Sequence, residues 1–124
     1  MTDSKLNPIL IVEDDEPTQR LIEAVLRRSG YPTETTSNGR GAIALLSQKN
    51  YAVVILDIMM PEVSGHEVVD ALSGDPRGIP VVVCSAAAPS AFRGLDPRVV
   101  KAIVRKPFDV EHFLAIVVEA AARR

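Results

Sequence analysis

Polar residues of different chemical kinds follow the short apolar runs of this chain. In chain order they are Glu13 and Asp14, then Asp57, then Ser85, then Arg105 with Lys106. Carboxylates bind hard divalent cations, and hydroxyl and ammonium groups stabilise the oxygens of a phosphoryl group. Brought together, these residues would suit a divalent cation and a phosphoryl group.

The four apolar runs predict buried parallel strands. They cover residues 9–12, 51–56, 80–84 and 102–104, and helix-like stretches separate them. In sheets of this kind both faces are covered, and ligands bind outside the carboxyl ends of the strands. We therefore expect the polar residues to share one rim.

Length and composition predict one globular domain over residues 1–124, with its core at about residues 8–122. The chain has 124 residues, 47% of them hydrophobic, which is enough for a core of useful size. Fourteen basic and sixteen acidic residues give a net charge of -2, and no basic run exceeds two residues. Binding to nucleic acid or to an anionic membrane is therefore not expected.

The cysteine content and the length of the apolar runs indicate in which cellular compartment the chain belongs. Cys84 is the only cysteine, so an intrachain disulfide is impossible, and its place within an apolar run predicts buried packing. The first eight residues are polar, and no apolar run approaches the roughly 20 residues of a membrane span. We expect a cytoplasmic protein.

Helical spacing predicts helices between the strands. A first helix runs from Pro17 to Gly30, a second ends near Asn50, a third follows Gly65, and the last begins after Asp109 as its N-cap. The stretch 86–97 is different, because Pro89, Gly94 and Pro97 leave only about two turns between breakers. We expect a short or distorted fourth helix there.

These elements predict a flavodoxin-like, doubly wound α/β fold. The polar, β-branched segment 33–36 would be a second strand at a sheet edge, which makes five strands alternating with five helices on both faces. A strand order of 2-1-3-4-5 places strands one and three side by side at the switch point. Asp14 and Asp57 would then meet in the crevice.

The chain resembles the receiver domain of response regulators in two-component signalling, over about residues 9–121. The resemblance depends on the order of several short motifs, each at a strand end. They are Ile11-Val12-Glu13-Asp14-Asp15, Leu56-Asp57-Ile58-Met59-Met60-Pro61 with Gly65 following, Ser85-Ala86, and Lys106-Pro107-Phe108.

The resemblance implies that Asp57 accepts a phosphoryl group from a sensor histidine kinase or a phosphotransfer protein. Ser85 and Lys106 would contact that group. Mg²⁺ would be bound by Asp14, Asp57 and the main-chain carbonyl of Met59, and by Glu13 through water. Charge counting agrees, since three carboxylates and one ammonium leave a deficit that one Mg²⁺ would fill. The Lys106–Pro107 peptide would be cis.

A receiver of this kind would be a switch rather than a metabolic enzyme. Phosphorylation would change the surface of the fourth helix, fifth strand and fifth helix, and that surface would regulate a downstream effector protein or form a homodimer. The chain ends soon after the last helix, so we expect no output domain within it.

Two departures keep other functions open. Ile103 replaces the aromatic residue that the family usually carries three positions before its lysine, so an aromatic rotamer switch cannot operate. With the irregular fourth helix, this favours as an alternative a binding module that works without phosphorylation. A phosphatase with Asp57 as transient nucleophile is a third hypothesis, but Met59 stands where such enzymes carry a second aspartate.

Overall fold

The computed structural model describes residues 7–123, so the predictions for residues 1–6 and for Arg124 lie outside the described part of the chain. Strands and helices alternate along the chain. They are β1 (Ile9–Val12), α1 (Glu16–Arg28), β2 (Thr33–Thr36), α2 (Gly39–Gln48), β3 (Val53–Leu56), α3 (Gly65–Leu72), β4 (Val81–Ser85), a 3₁₀ turn (Pro89–Phe92), β5 (Val100–Arg105) and α4 (Val110–Ala122).

The five strands form one parallel sheet in the order β2-β1-β3-β4-β5, which confirms the predicted topology. β1, β3 and β4 are buried along their whole length, because aliphatic side chains point to both covered faces. β2, with its three threonines, lies at one edge and is mostly half-buried. The carboxyl ends of β1 and β3 are therefore neighbours, as expected.

The helices cover the two faces of the sheet and form two apolar layers. One layer packs side chains of α2 and α3 against the sheet, among them Leu46 and Val69. The other packs α1 and α4, with Leu26 and Phe113 among its buried residues. No helix in residues 7–123 is long and apolar enough to cross a membrane.

Local hydrogen bonds explain where the helices next to the functional rim begin. Asp15 caps α1, since its carboxylate accepts the Thr18 N–H at 3.1 Å, and Pro17 fits the first turn, where no intrahelical donor is needed. Asp109 caps α4 as predicted. Each cap ends the loop that follows a strand and thereby holds the residues of that loop in place.

The fourth helix is the main departure from the predicted order. The stretch between β4 and β5 contains only the 3₁₀ turn Pro89–Phe92, so the described chain has four α-helices rather than five. Pro89 opens this turn, and Gly94 adopts a positive φ of 81° just after it, a conformation that ends a helix. The prediction of a short or distorted element is confirmed, and its cause is the pair of breakers.

Two further features of this half of the molecule can be compared with expectation: the start of β5 and the conformation of the Lys106–Pro107 peptide bond. β5 begins at Val100, two residues before the predicted run. The apolar run missed this start because Lys101, which lies within the strand, has an exposed and charged side chain. The Lys106–Pro107 peptide bond is cis, as the resemblance implied.

Candidate functional site

The register of the sheet brings the predicted site residues to one rim. Glu13 and Asp57 directly follow β1 and β3, and the Asp57 N–H donates to the carbonyl of Val12 at 3.1 Å. Ser85 ends β4, and its carbonyl accepts the N–H of Lys106 at 3.1 Å, just beyond β5. Main-chain hydrogen bonds between neighbouring strands thus fix the positions of these residues.

The three carboxylates form a cluster that fits a divalent cation. Glu13, Asp14 and Asp57 each offer an oxygen atom, and these atoms all lie within 4.8 Å of one another. Glu13 and Asp57 are buried, whereas Asp14 is exposed, so the cluster opens to solvent on one side. Hard oxygen donors with access for water are what Mg²⁺ prefers.

Lys106 joins this cluster from the end of β5. Its Nζ lies 2.7 Å from Oε1 of Glu13 and 3.5 Å from Oδ2 of Asp57. The lysine side chain is 18% exposed and that of Glu13 is 2% exposed, so the shorter ion pair is largely shielded from water. One ammonium offsets one of three negative charges, and the remaining charge favours a bound divalent cation.

Burial and hydrogen bonding shift the pKa of Glu13 in opposite directions. Burial raises the pKa of Glu13, and hydrogen bonds from Lys106 and from the Asp15 N–H pull that pKa down. The negative charge of Asp57 pushes the Glu13 pKa up again, and the net shift is upward. The carboxylates of this cluster therefore cost free energy when all are ionised, and nearby positive charge reduces that cost.

The pKa of Lys106 is also raised, although burial acts on it in the opposite direction. Burial alone would lower the pKa of Lys106, but its hydrogen bond to Glu13 and the negative charge of Asp57 outweigh burial. The net result is a raised pKa, so the amine carries its charge at neutral pH. The site thus contains a permanent cation that can face an incoming anion.

The loop after β3 holds Asp57 from its other side. The Met59 N–H donates to Oδ1 of Asp57 at 3.2 Å, while the Met59 side chain is 63% exposed. A Cβ atom at Gly65 would lie 2.7 Å from Cα of Ile58 and 2.8 Å from the carbonyl oxygen of Asp57. Only glycine fits there, which explains its place in the motif. Metal ligation by the Met59 carbonyl stays a prediction.

Ser85 is fully buried at the end of β4. Its Oγ accepts the N–H of Ala87 at 3.2 Å, so the hydroxyl stabilises the loop that leaves the strand. This is the ordinary local role of a serine in such a position. Contact between Ser85 and a phosphoryl group therefore stays a prediction.

Two further residues lie near the site: Gln19, which supports it through hydrogen bonds, and Cys84. The amide of Gln19, on α1, donates to the main-chain carbonyls of Glu13 at 3.0 Å and Thr36 at 3.3 Å. Sequence reasoning missed Gln19, because nothing in the local pattern distinguishes it from other polar helix residues. Cys84 is buried next to Ser85, as predicted, and burial raises the pKa of its thiol to about 12.

Comparisons with known proteins point to one family. A profile described as "Response regulator receiver domain" matches residues 9–118. The chain is 35% identical over 112 residues to the polar-differentiation response regulator DivK of Brucella anthropi, covering 86% of this chain and 89% of DivK. It is also 35% identical over 109 residues to the uncharacterized transcriptional regulatory protein YkoG of Bacillus subtilis, where it spans 86% of this chain but only 47% of YkoG.

Solved structures share the architecture. The response regulator TrrA of Thermotoga maritima, determined in complex with Mg²⁺-BeF, is 29% identical with a TM-score of 0.81, covering 92% of this chain and 98% of TrrA. The signal receiver domain of a signal transduction histidine kinase from Syntrophus aciditrophicus is 30% identical with a TM-score of 0.84, covering 94% of this chain and 91% of that one.

The family match covers nearly the whole described chain, and the sheet order and acidic cluster fit it. DivK and TrrA are both named response regulators. The chain therefore belongs to the response regulator receiver domains of two-component systems.

Proposed function

We propose that the chain is a phosphorylation-dependent switch that accepts a phosphoryl group on Asp57. The donor would be a phosphohistidine on a sensor histidine kinase or a phosphotransfer protein. The observation that carries this proposal is the position of Asp57, a buried carboxylate between two further carboxylates and the ammonium of Lys106. A buried carboxylate in such company is suited to nucleophilic attack on phosphorus rather than to a structural role.

The chemistry requires one bond to form and one to break. A carboxylate oxygen of Asp57 attacks the phosphorus, and the P–O bond forms as the P–N bond to the donor imidazole breaks. The imidazole leaves with the electron pair and takes up a proton from solvent. The product is an acyl phosphate on Asp57, and the charges of the incoming group are the main obstacle to its formation.

The residues around Asp57 are suited to lower that obstacle. The Lys106 ammonium, 3.5 Å from Oδ2, would neutralise phosphoryl oxygens, while the Met59 N–H holds Oδ1. Mg²⁺ held by Asp14, Asp57 and the Met59 carbonyl, with Glu13 acting through water, would supply further positive charge when bound. TrrA, determined with Mg²⁺-BeF, offers a precedent within the family.

Phosphorylation would then bias the surface of the protein. An acyl phosphate replaces one carboxylate charge with about -1.5 to -2 and adds acceptor oxygens, which would draw Ser85 and Lys106 inward. Lys106 directly follows β5, so its movement would be transmitted to β5, the 3₁₀ turn and α4. That surface would regulate an effector protein in the cytoplasm, and the chain would have no metabolic substrate.

Intact-mass measurement tests the proposal directly. The protein is incubated with Mg²⁺ and acetyl phosphate, and we expect a mass gain of one phosphoryl group. The gain should vanish in Asp57→Asn and when Mg²⁺ is chelated, but persist in Asp70→Asn, which alters an exposed aspartate on α3. An unmodified wild-type mass, under conditions that label a control receiver, would overturn the proposal.

A binding module that works without phosphorylation is the second candidate. It is favoured by the 3₁₀ turn in place of a fourth helix and by Ile103, which is 41% exposed on β5. The same mass measurement separates the two, because this candidate requires no phosphoryl uptake at Asp57.

A further inference from the structure

A cavity lies between β5 and the end of α4, at the amino-terminal end of the sheet. Its volume is about 310 Å³, and residues of the loop before β4, of β5 and of α4 line it. The carboxylate cluster lies at the opposite end of the sheet, since Asp57 follows β3 and Glu13 follows β1. The cavity is therefore separate from the proposed phosphorylation site.

The floor of the cavity is apolar, and small residues leave it open. Pro80 and Ala120 are buried and Ile116 is half-buried. Gly78 contributes no side chain, and a Cβ atom added there would meet nothing within 4 Å apart from its chain neighbours. The volume is at the lower end of the range for ligand pockets, so this floor suits the hydrocarbon part of a small molecule rather than a peptide.

A β-bulge brings Lys101 to this cavity. Val81 on β4 pairs with Val100 on β5, and the next residue, Val82, pairs with Ala102, so Lys101 has no partner on β4. Bulges are rare between parallel strands, and next to functional sites they re-aim a side chain. Here the bulged residue is a cation that lines the cavity.

The rim of the cavity carries more positive than negative charge. Lys101, Glu119 and Arg123 line it, and Nε of Arg123 lies 3.9 Å from Oε2 of Glu119, with both side chains largely exposed. Nζ of Lys101 donates to the carbonyl of Arg98 at 2.7 Å, which leaves two of its three N–H donors for other partners. In residues 7–123 no carboxylate oxygen lies within 4.0 Å of this Nζ. The rim therefore offers a cation that has no acidic partner.

We propose that this cavity binds a small organic anion, a monocarboxylate whose apolar body is about the size of one aromatic ring. The ligand carboxylate would accept hydrogen bonds from Lys101 and Arg123, and charge-assisted hydrogen bonds of this kind are strong. Its apolar body would pack on the floor. A monoanion matches a rim of two cations and one carboxylate, whereas a dianion would be repelled more strongly by Glu119. This inference goes beyond the proposed phosphoryl transfer and does not depend on it.

NMR titration of isotope-labelled protein with hydrocinnamate tests the inference. We expect saturable chemical-shift changes at the amides of Gly78, Lys101 and Ala120, with a Kd on the order of 1 mM for a ligand of this size. The neutral analogue hydrocinnamamide should bind about fivefold or more weakly, because it lacks the charge that Lys101 pairs with. No phosphodonor is added, so failure of phosphoryl transfer cannot affect the result.

Two variants of the rim should change the affinity for hydrocinnamate in opposite directions. Lys101→Glu should weaken binding about tenfold or more, because an attractive charge becomes repulsive. Glu119→Gln should strengthen binding about twofold to threefold, because it removes a repulsive charge and frees Arg123. Arg40→Glu makes the same charge change as Lys101→Glu at an exposed cation of α2, and it should bind like the wild type.

Several outcomes would contradict the inference, and the same spectra show whether each variant is folded. The absence of saturable shifts in the wild type, equal affinity for hydrocinnamate and its amide, or equal weakening in Lys101→Glu and Arg40→Glu would each overturn it. Weaker binding in Glu119→Gln would also overturn it, since Glu119 would then be a ligand of the bound molecule rather than a repulsive neighbour.

Discussion

Replacement of Lys106 by methionine is the sharpest test of how the site is built. Methionine keeps an unbranched apolar stem but removes the ammonium that lies 2.7 Å from Glu13 and 3.5 Å from Asp57. Two buried carboxylates then face each other without their cation. We expect the variant to fold but to be markedly less stable when divalent ions are chelated.

The size of the loss follows from the burial of the pair. Breaking a buried ion pair by removing one partner costs about 3 to 5 kcal/mol. The 18% exposure of Lys106 and the exposed Asp14 let water reach the site, which places the expected loss near about 3 kcal/mol. For a domain of this size, such a loss lowers Tm by about 10 °C.

Urea unfolding in the presence of EDTA measures the loss. Lys49→Met is a matched control, because Lys49 pairs with the partly exposed Glu34 and should lose less than about 1 kcal/mol. In the double variant Glu13→Gln/Lys106→Met the loss should fall short of the sum of the single losses by about 2 kcal/mol. Strictly additive losses, or equal losses in Lys106→Met and Lys49→Met, would refute the reasoning.

Three further predictions concern other contacts. Gly65→Ala forces a Cβ against the backbone of Asp57, so we expect a loss of about 1 to 3 kcal/mol in urea unfolding and slower phosphoryl uptake. Tyr51→Phe removes the 2.6 Å hydrogen bond from the buried Tyr51 hydroxyl to Glu34, with an expected loss of about 1.5 kcal/mol in the same assay. Asp96 has its pKa held at about 2 by its hydrogen bonds with Arg98, below the ordinary 3.8. Its contribution to stability is therefore present above pH 3.8 and lost as the pH falls towards 2, so the Tm difference between wild type and Asp96→Asn should close over that range.

Each of these predictions has a control or an outcome that would contradict it. Tyr31→Phe alters a half-buried tyrosine for which the described residues show no hydroxyl hydrogen bond, and a loss equal to that of Tyr51→Phe would contradict the second prediction. Asp70→Asn, which alters an exposed aspartate on α3, is the matched control for Asp96→Asn, and the same change in both variants would contradict the third prediction. An unchanged unfolding midpoint in Gly65→Ala would show that the loop yields without cost.

The sequence predicted the sheet order because the buried strands are aliphatic runs bounded by breakers. Strand limits were less predictable where exposed and buried side chains alternate, as at Lys101 and Ile103, since an apolar run captures only part of such a strand. The breakers near Pro89 predicted distortion but could not specify a 3₁₀ turn. Side-chain contacts between distant segments could not be predicted from the sequence, because the Gln19 amide approaches the carbonyl of Glu13 only after α1 packs on the sheet.

The ion pair between Glu13 and Lys106 joins residues 93 positions apart in the chain. β5 must therefore be synthesised before Lys106 can pair with Glu13 at the end of β1. Contacts of such long range are costly to form early in folding. A nascent or partly unfolded chain would expose Glu13 without Lys106, so the proposed phosphoryl transfer would require a chain that has folded through β5.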